Sequence, residues 1–99
     1  MSASNIKSVQ KTASAAAVAG RARLLGVYFT NTATASSVVL KDGGSSGTAR
    51  LSLLTPASAG SQDLMIPDMG ILFEDGIYIT FGSAEVTSVT LLFEGGAAA

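Results

Sequence analysis

Between Arg21 and Glu94 the large apolar residues fall at every second position, in short runs broken by Gly, Pro, Asp and Asn. A side-chain period of two belongs to the β-strand, because successive side chains point to opposite faces. Leu25, Val27 and Phe29 read as one face of a first strand over 23–30, with Leu24, Tyr28 and Thr30 on the other. Further runs follow at 37–41 (Val38, Leu40), 48–54 (Ala49, Leu51, Leu53), 64–66, 71–73 (Ile71, Phe73), 77–81 (Ile77, Ile79, Phe81) and 86–94 (Val89, Leu91, Phe93). About seven strands at roughly 8–12-residue spacing predict an all-β fold, an antiparallel β-sandwich or jelly-roll-like domain. No run carries apolar residues at helical spacing, so a parallel α/β sheet is disfavoured.

The residues between the runs are turn formers. Asp42-Gly43-Gly44-Ser45-Ser46-Gly47 supplies the backbone freedom of a hairpin reversal. It lacks the Lys-Ser/Thr pair of a phosphate cradle. Pro56 and Gly60 mark 55–61 as a loop, since Pro cannot donate to a ladder. Glu74-Asp75-Gly76 reads as the tight turn of a hairpin joining 71–73 to 77–81.

Before Arg21 the composition changes. Residues 1–20 are rich in Ala and Ser, with Ile6, Val9 and Val18 as the only larger branched apolar groups, too few to offset an ordering cost of about 1–2 kcal/mol per residue. The segment is expected to be an arm, disordered or a short helix over 9–19, that orders on a neighbouring subunit. Lys7 and Lys11 ahead of Ala13–Ala19 superficially imitate a secretory leader. The apolar stretch is alanine rather than leucine, however, and Arg21 and Arg23 follow directly, so none is expected. Residues 21–95 are expected to form the sandwich and 96–99 a frayed tail.

Composition restricts the chemistry. Among the 99 residues there is no Cys and no His, which removes thiolate and imidazole nucleophiles, soft metal ligands and disulfides from the chain. The carboxylates Asp42, Asp63, Asp68, Glu74, Asp75, Glu85 and Glu94 are the remaining acid–base candidates. Most sit at turns or strand ends, where Asp hydrogen-bonds its own backbone, so solvated turns rather than an enzyme are expected. The Asp-x-Asx-x-Asx-Gly spacing of a calcium loop is missing, and Asp68 with Glu74-Asp75 would hold a cation only weakly. No catalytic, cofactor-binding or metal-ligating residue is therefore expected.

With a net charge of −1, the chain lacks the basic surplus that displaces counterions from nucleic acid. No apolar run approaches the roughly 18 residues of a membrane helix. Charged residues make up only 13% of the chain, about half of the roughly 25% usual in soluble proteins, which points to surface covered by partner subunits. Candidates for such contacts are Ile6, Val9 and Val18 in the arm, Arg21 and Arg23 where it meets the first strand, and Tyr28 and Tyr78 on the outward phase of their strands. Tyr and Arg combine large area with polar tips.

The stretches Gly26-Val27-Tyr28-Phe29-Thr30-Asn31, Ile66-Pro67-Asp68-Met69-Gly70-Ile71-Leu72-Phe73 and Gly76-Ile77-Tyr78 together resemble small all-β virion proteins of tailed bacteriophages. In those proteins a Gly-Tyr/Val-Tyr-Phe/Val-x-Asn strand and an Ile-Pro-x-x-Gly-Ile-x-Phe-x-x-Gly-Ile-Tyr hairpin recur. The resemblance spans about residues 21–94; the arm has no counterpart. It implies a head-decoration (cement) protein that binds the major capsid protein on the capsid surface, usually as a homotrimer and with no cofactor. The alternative it implies is a fibre, spike or other tail-associated module. Under the first expectation the arm would reach across a capsomer boundary.

Overall fold

The computed structural model describes residues 6–67 and 70–99. Among them every regular element is a strand: β1 (Lys7–Lys11), β2 (Ala15–Asn31), β3 (Ser37–Asp42), β4 (Thr48–Leu54), β5 (Gly60–Met65), β6 (Ile71–Phe73), β7 (Ile77–Phe81) and β8 (Val86–Ala98). They form one antiparallel sheet in the order β1-β8-β2-β7-β3-β4, with β5 and β6 also paired to β2. The all-β, sandwich-like expectation holds, with one strand more than the seven read from periodicity.

The 17-residue β2 organises the sheet. Straight, at about 3.3 Å per residue, it would be roughly 55 Å long, yet the longest axis of the molecule is 41 Å and the shortest 21 Å. β2 bends where its register against β8 slips, between Ala19 and Ala22, between Leu24 and Gly26, and between Thr30 and Asn31. Extra residues of this kind kink a strand and increase its twist. The sheet thus folds over a single core of Val18, Ala22, Leu24, Val27 and Phe29 from β2, Val38 and Leu40 from β3, Ile77 and Ile79 from β7, and Val89, Leu91 and Phe93 from β8.

The slip at Leu24–Gly26 corrects the expected facing of this strand. Leu24, assigned to the outward phase, is fully buried with Val27 and Phe29, whereas Leu25 is only half-buried. One inserted residue exchanges the faces, because the side-chain period is two.

A second correction concerns the expected arm and tail. Lys7–Lys11 pair with Phe93–Val89 of β8, and Ala15–Val18 pair with Ile79–Ile77 of β7. At the other end Ala97 and Ala98 pair with Ala19 and Val18, and the Ala99 N–H donates to the Ala17 carbonyl at 2.9 Å. Lys7 and Lys11 reinforce this closure by donating to the Gly96 and Ala99 carbonyls at 2.9 and 2.8 Å. Lys7–Lys11, Ala15–Gly20 and 96–98 are thus parts of the sheet, neither helix nor frayed end, while residues 1–5 of the expected arm lie outside the described residues. Small side chains allow it: Ala17 and Val18 are almost completely buried.

The Asp42–Gly47 hairpin joins β3 to β4 as expected, with Asp42 opposite Thr48. The expected hairpin at Glu74-Asp75-Gly76 does not form. Phe73 faces Ala22 and Ile77 faces Val18 on the same edge of β2, so β6 and β7 run in line, not back on each other. Since β5 pairs Gly60–Met65 with Asn31–Gly26, the segments β5, β6 and β7 form one interrupted strand antiparallel to β2. Asp-Gly marks a break in that run, where Gly76 passes over the Val18 carbonyl.

At the far end of β2 the Asn31 side chain is buried, and its Nδ2 donates to the Thr32, Pro56 and Ser58 carbonyls at 2.8, 3.2 and 2.9 Å. It ties the 55–59 loop to the sheet. Asn31→Asp would aim a carboxylate at three carbonyl oxygens in a buried site. We expect a loss of about 2–3 kcal/mol, read as a lower urea midpoint at unchanged slope, whereas wild-type stability in this variant would contradict the assignment of the amide donors.

Candidate functional site

The outer side of the β5-β2-β8-β1 layer is built row by row from the register. Leu72 of β6, Arg23 of β2 and Glu94 of β8 form one row. Met65, Gly26, Leu92 and Ser8 form the next along β2, and Asp63, Tyr28, Thr90 and Gln10 the one beyond it. Met65 and Leu92 lie over Gly26, whose missing side chain lets them approach. Four large apolar residues are exposed among the described residues, and three of them, Ile6 (51%), Tyr28 (46%) and Met65 (64%), belong to this face. Singly they would be ordinary; gathered on one outer sheet face, with Leu25, Leu72 and Leu92 half-buried on the neighbouring strands, they make an apolar patch of the kind that marks a contact surface. The fourth, Leu54, ends β4 on the sheet's outermost strand.

At one end the face opens into a groove of about 600 Å³ lined by Ile6, Lys7, Arg21, Ala22, Arg23, Leu72, Glu94 and Gly95. Three of the chain's six cationic side chains stand here. The Arg21 Nε lies 3.4 Å from the Glu74 Oε1 with both side chains mostly in water, a geometry that contributes little. Arg23 is half-buried and has no hydrogen-bond acceptor or ion-pair partner among the described residues.

The fold brings Ile6, Arg21 and Arg23 together, with Tyr28 farther along the same face. The other contact candidates stand elsewhere, and Val18 is corrected. Val18 is 3% exposed and belongs to the core, and Val9, half-buried, packs against it. Val9 pairs with Leu91 and Val18 with Ile77 in the ladder, because Lys7–Lys11 and Ala15–Gly20 are strand and not an arm. Tyr78 is half-buried between the inward-facing Ile77 and Ile79 and stands in the part of the sheet where β7 joins β2 to β3, away from Tyr28. Comparison with family models, curated proteins and solved structures gave no match for this chain. Lys7, Leu72, Glu94 and Met65 were missed as contact residues. Each is unremarkable in sequence and acquires its position only through cross-strand register.

As expected, Asp42, Glu74, Asp75 and Glu85 stand at strand ends or turns, whereas Asp63 and Glu94 lie within β5 and β8. Asp42 has a side chain only 6% exposed. Its Oδ1 accepts from the Asp75 N–H at 2.9 Å, and its Oδ2 accepts from the Glu74 N–H at 3.1 Å and from Arg50 Nη2 at 3.2 Å. The Asp75 N–H first, then the Glu74 N–H and Arg50, hold its pKa below the ordinary 3.8 against the opposing effect of burial. Glu85 accepts from the Thr32 hydroxyl. Among the described residues no three His, Cys, Asp or Glu side chains converge as a metal site; Asp68, part of the weak cation expectation, lies outside the described residues.

Proposed function

We propose that the protein is a structural component of a tailed-bacteriophage virion, a decoration (cement) protein that binds the outside of the assembled head and stabilises it, with sister subunits in a trimer. The observation that carries this is the gathering of Ile6, Tyr28 and Met65 on one outer sheet face that continues into a groove lined by Arg21 and Arg23. Such a face suits a broad protein contact: an apolar centre with a polar, charged rim. The sequence resemblance supplies the virion setting. Attachment is assigned to this face, since Lys7–Lys11 and Ala15–Gly20 are held within the sheet.

A protein that binds the closed shell and not the open lattice stabilises the shell by mass action. Purified particles are therefore expected to contain hundreds of copies spread over the head. Tyr28→Thr, a good strand former at an exposed position outside the core, should leave the melting temperature of the free protein within about 2–4 °C of wild type while sharply reducing its amount on particles. A copy number in the tens or fewer, confined to the tail vertex by imaging, overturns the proposal in favour of a tail-associated module.

A further inference from the structure

We infer that the groove at Ile6, Arg23 and Leu72 is a receptor for a carboxylate side chain on an extended segment of the partner protein, with Arg23 as the principal anchor. The inference rests on the virion proposal for who the partner is, and on the groove alone for the chemistry. Arg23 carries five N–H donors in a planar fork, is half-buried, and meets no acceptor among the described residues. A guanidinium that meets no protein acceptor leaves its fork open to a bidentate carboxylate, held by charge-assisted hydrogen bonds.

The surroundings select the ligand class. Lys7 and Arg21 add positive charge on either side, although Lys7 also donates to the Gly96 carbonyl and Arg21 faces Glu74. Ile6, Ala22 and Leu72 supply apolar walls, which fit the side chains flanking an acidic residue in an extended peptide, where alternate side chains face the same surface. Glu94, directly across from Arg23 in the ladder, sets an upper limit on negative charge. A single carboxylate meets one opposing charge there, whereas a continuous phosphate backbone would set several against Glu94. With a net charge of −1 the chain also offers no broad positive field to draw nucleic acid in.

The test uses two probes, acetyl-Leu-Glu-Val-amide and acetyl-Leu-Gln-Val-amide, titrated into the full chain and followed by NMR. The Glu peptide should shift the Arg23 Nε–H resonance together with the Ile6 and Leu72 methyls, and the Gln peptide should bind at least about tenfold more weakly, as expected for loss of a charge-assisted pair. Arg23→Gln should abolish the difference between the peptides without altering the dispersion of the remaining spectrum. Equal binding of the two peptides, shifts away from the groove, or a single-stranded oligothymidine that shifts these resonances where the Glu peptide does not, each overturns the inference. A change of oligomeric state in Arg23→Gln, read by light scattering, also overturns it by assigning the groove to a self-contact. On particles the two proposals separate. Arg23→Gln protein that coats heads as well as wild type rejects the groove but not the virion role. A wild-type protein absent from particles that still binds the Glu peptide at Arg23 rejects the virion role but not the groove.

Discussion

Gly76→Ala is expected to lower stability by about 3–4 kcal/mol, and the melting temperature by roughly 15 °C or more for a chain of this size. Two effects add. Gly76 has φ +101°, in the left-handed half of backbone space where an L-residue is strained by about 1–2 kcal/mol. A Cβ there would also press into the Val18 carbonyl oxygen of β2, a backbone atom that cannot rotate away. The two demands cannot both be relieved without parting β7 from β2, where Ile77 pairs with Val18. Gly44→Ala is the control. A Cβ at Gly44 meets nothing within 4 Å, so that variant should stay within about 0.5 kcal/mol of wild type. Thermal melts of both decide it: similar small shifts would show that the crossing at Val18 is not the constraint.

Gly70 repeats the device. Its φ is +80°, and its Cβ would meet the Leu24 carbonyl. Gly70 and Gly76 are six residues apart, as are Leu24 and Val18 on the strand they cross. Each glycine is followed by an isoleucine that opens a strand, Ile71 for β6 and Ile77 for β7. The Gly-Ile-x-Phe-x-x-Gly-Ile motif is therefore not a hairpin but two successive passages of one chain across the same edge of β2. The repeat was visible in the sequence. The Asp-Gly pair hid it, because Asp-Gly before an alternating strand is also the commonest local signal for a reversal, and only pairing to a distant strand distinguishes the two.

The same distinction separates what was legible from what was not. β3, β4, β7 and β8 carry large alternating side chains and turn residues at their ends, so their existence and inward phase could be read locally. β1 could not, since Lys-Ser-Val-Gln-Lys has a single large apolar residue and becomes a strand by covering β8. Ala15–Gly20 could not either. Alanine favours helix in isolation, but here the small side chains fit where β2 passes close to Ile77 and Ala98, and packing overrides propensity. The phase error at Leu24 came from a bulge, which leaves no mark in an apolar pattern beyond the neighbouring Gly26. For the contact face the chemistry was legible and the grouping was not. Arg21, Arg23, Ile6 and Tyr28 stood out by residue type, whereas Leu72, Glu94 and Met65 joined them through register across three strands.

Asp42→Ala is expected to cost about 1–2 kcal/mol, because three donors lose a charged acceptor at once, with water replacing it at the exposed Glu74 and Asp75 N–H groups. The Asp42 carboxylate stands at the end of β3 and bonds the Glu74 and Asp75 N–H groups in the break between β6 and β7, while Arg50 closes over it from β4. It thereby fastens the β3–β4 hairpin to the interrupted strand at the corner where the Gly43 N–H also donates to the Gly76 carbonyl at 3.3 Å. The pH dependence has a definite sign. Because the folded-state pKa lies below the ordinary 3.8, the contribution is fully present above the unfolded-state value and is lost as pH falls below it through the folded value. Asp42→Asn retains one acceptor oxygen but sets an N–H₂ against the other backbone donor. It should be clearly less stable than wild type in urea melts at pH 6, and the gap should narrow steadily as pH falls from about 4 towards 2. A gap that stays constant or widens over that range would falsify the assignment of Asp42 as the ionised anchor. Since Asp42 and Gly76 meet at one corner, the Asp42→Ala, Gly76→Ala double variant should lose less than the sum of the two single losses, for once the Gly76 passage has parted from β2 the carboxylate no longer has fixed N–H groups to hold.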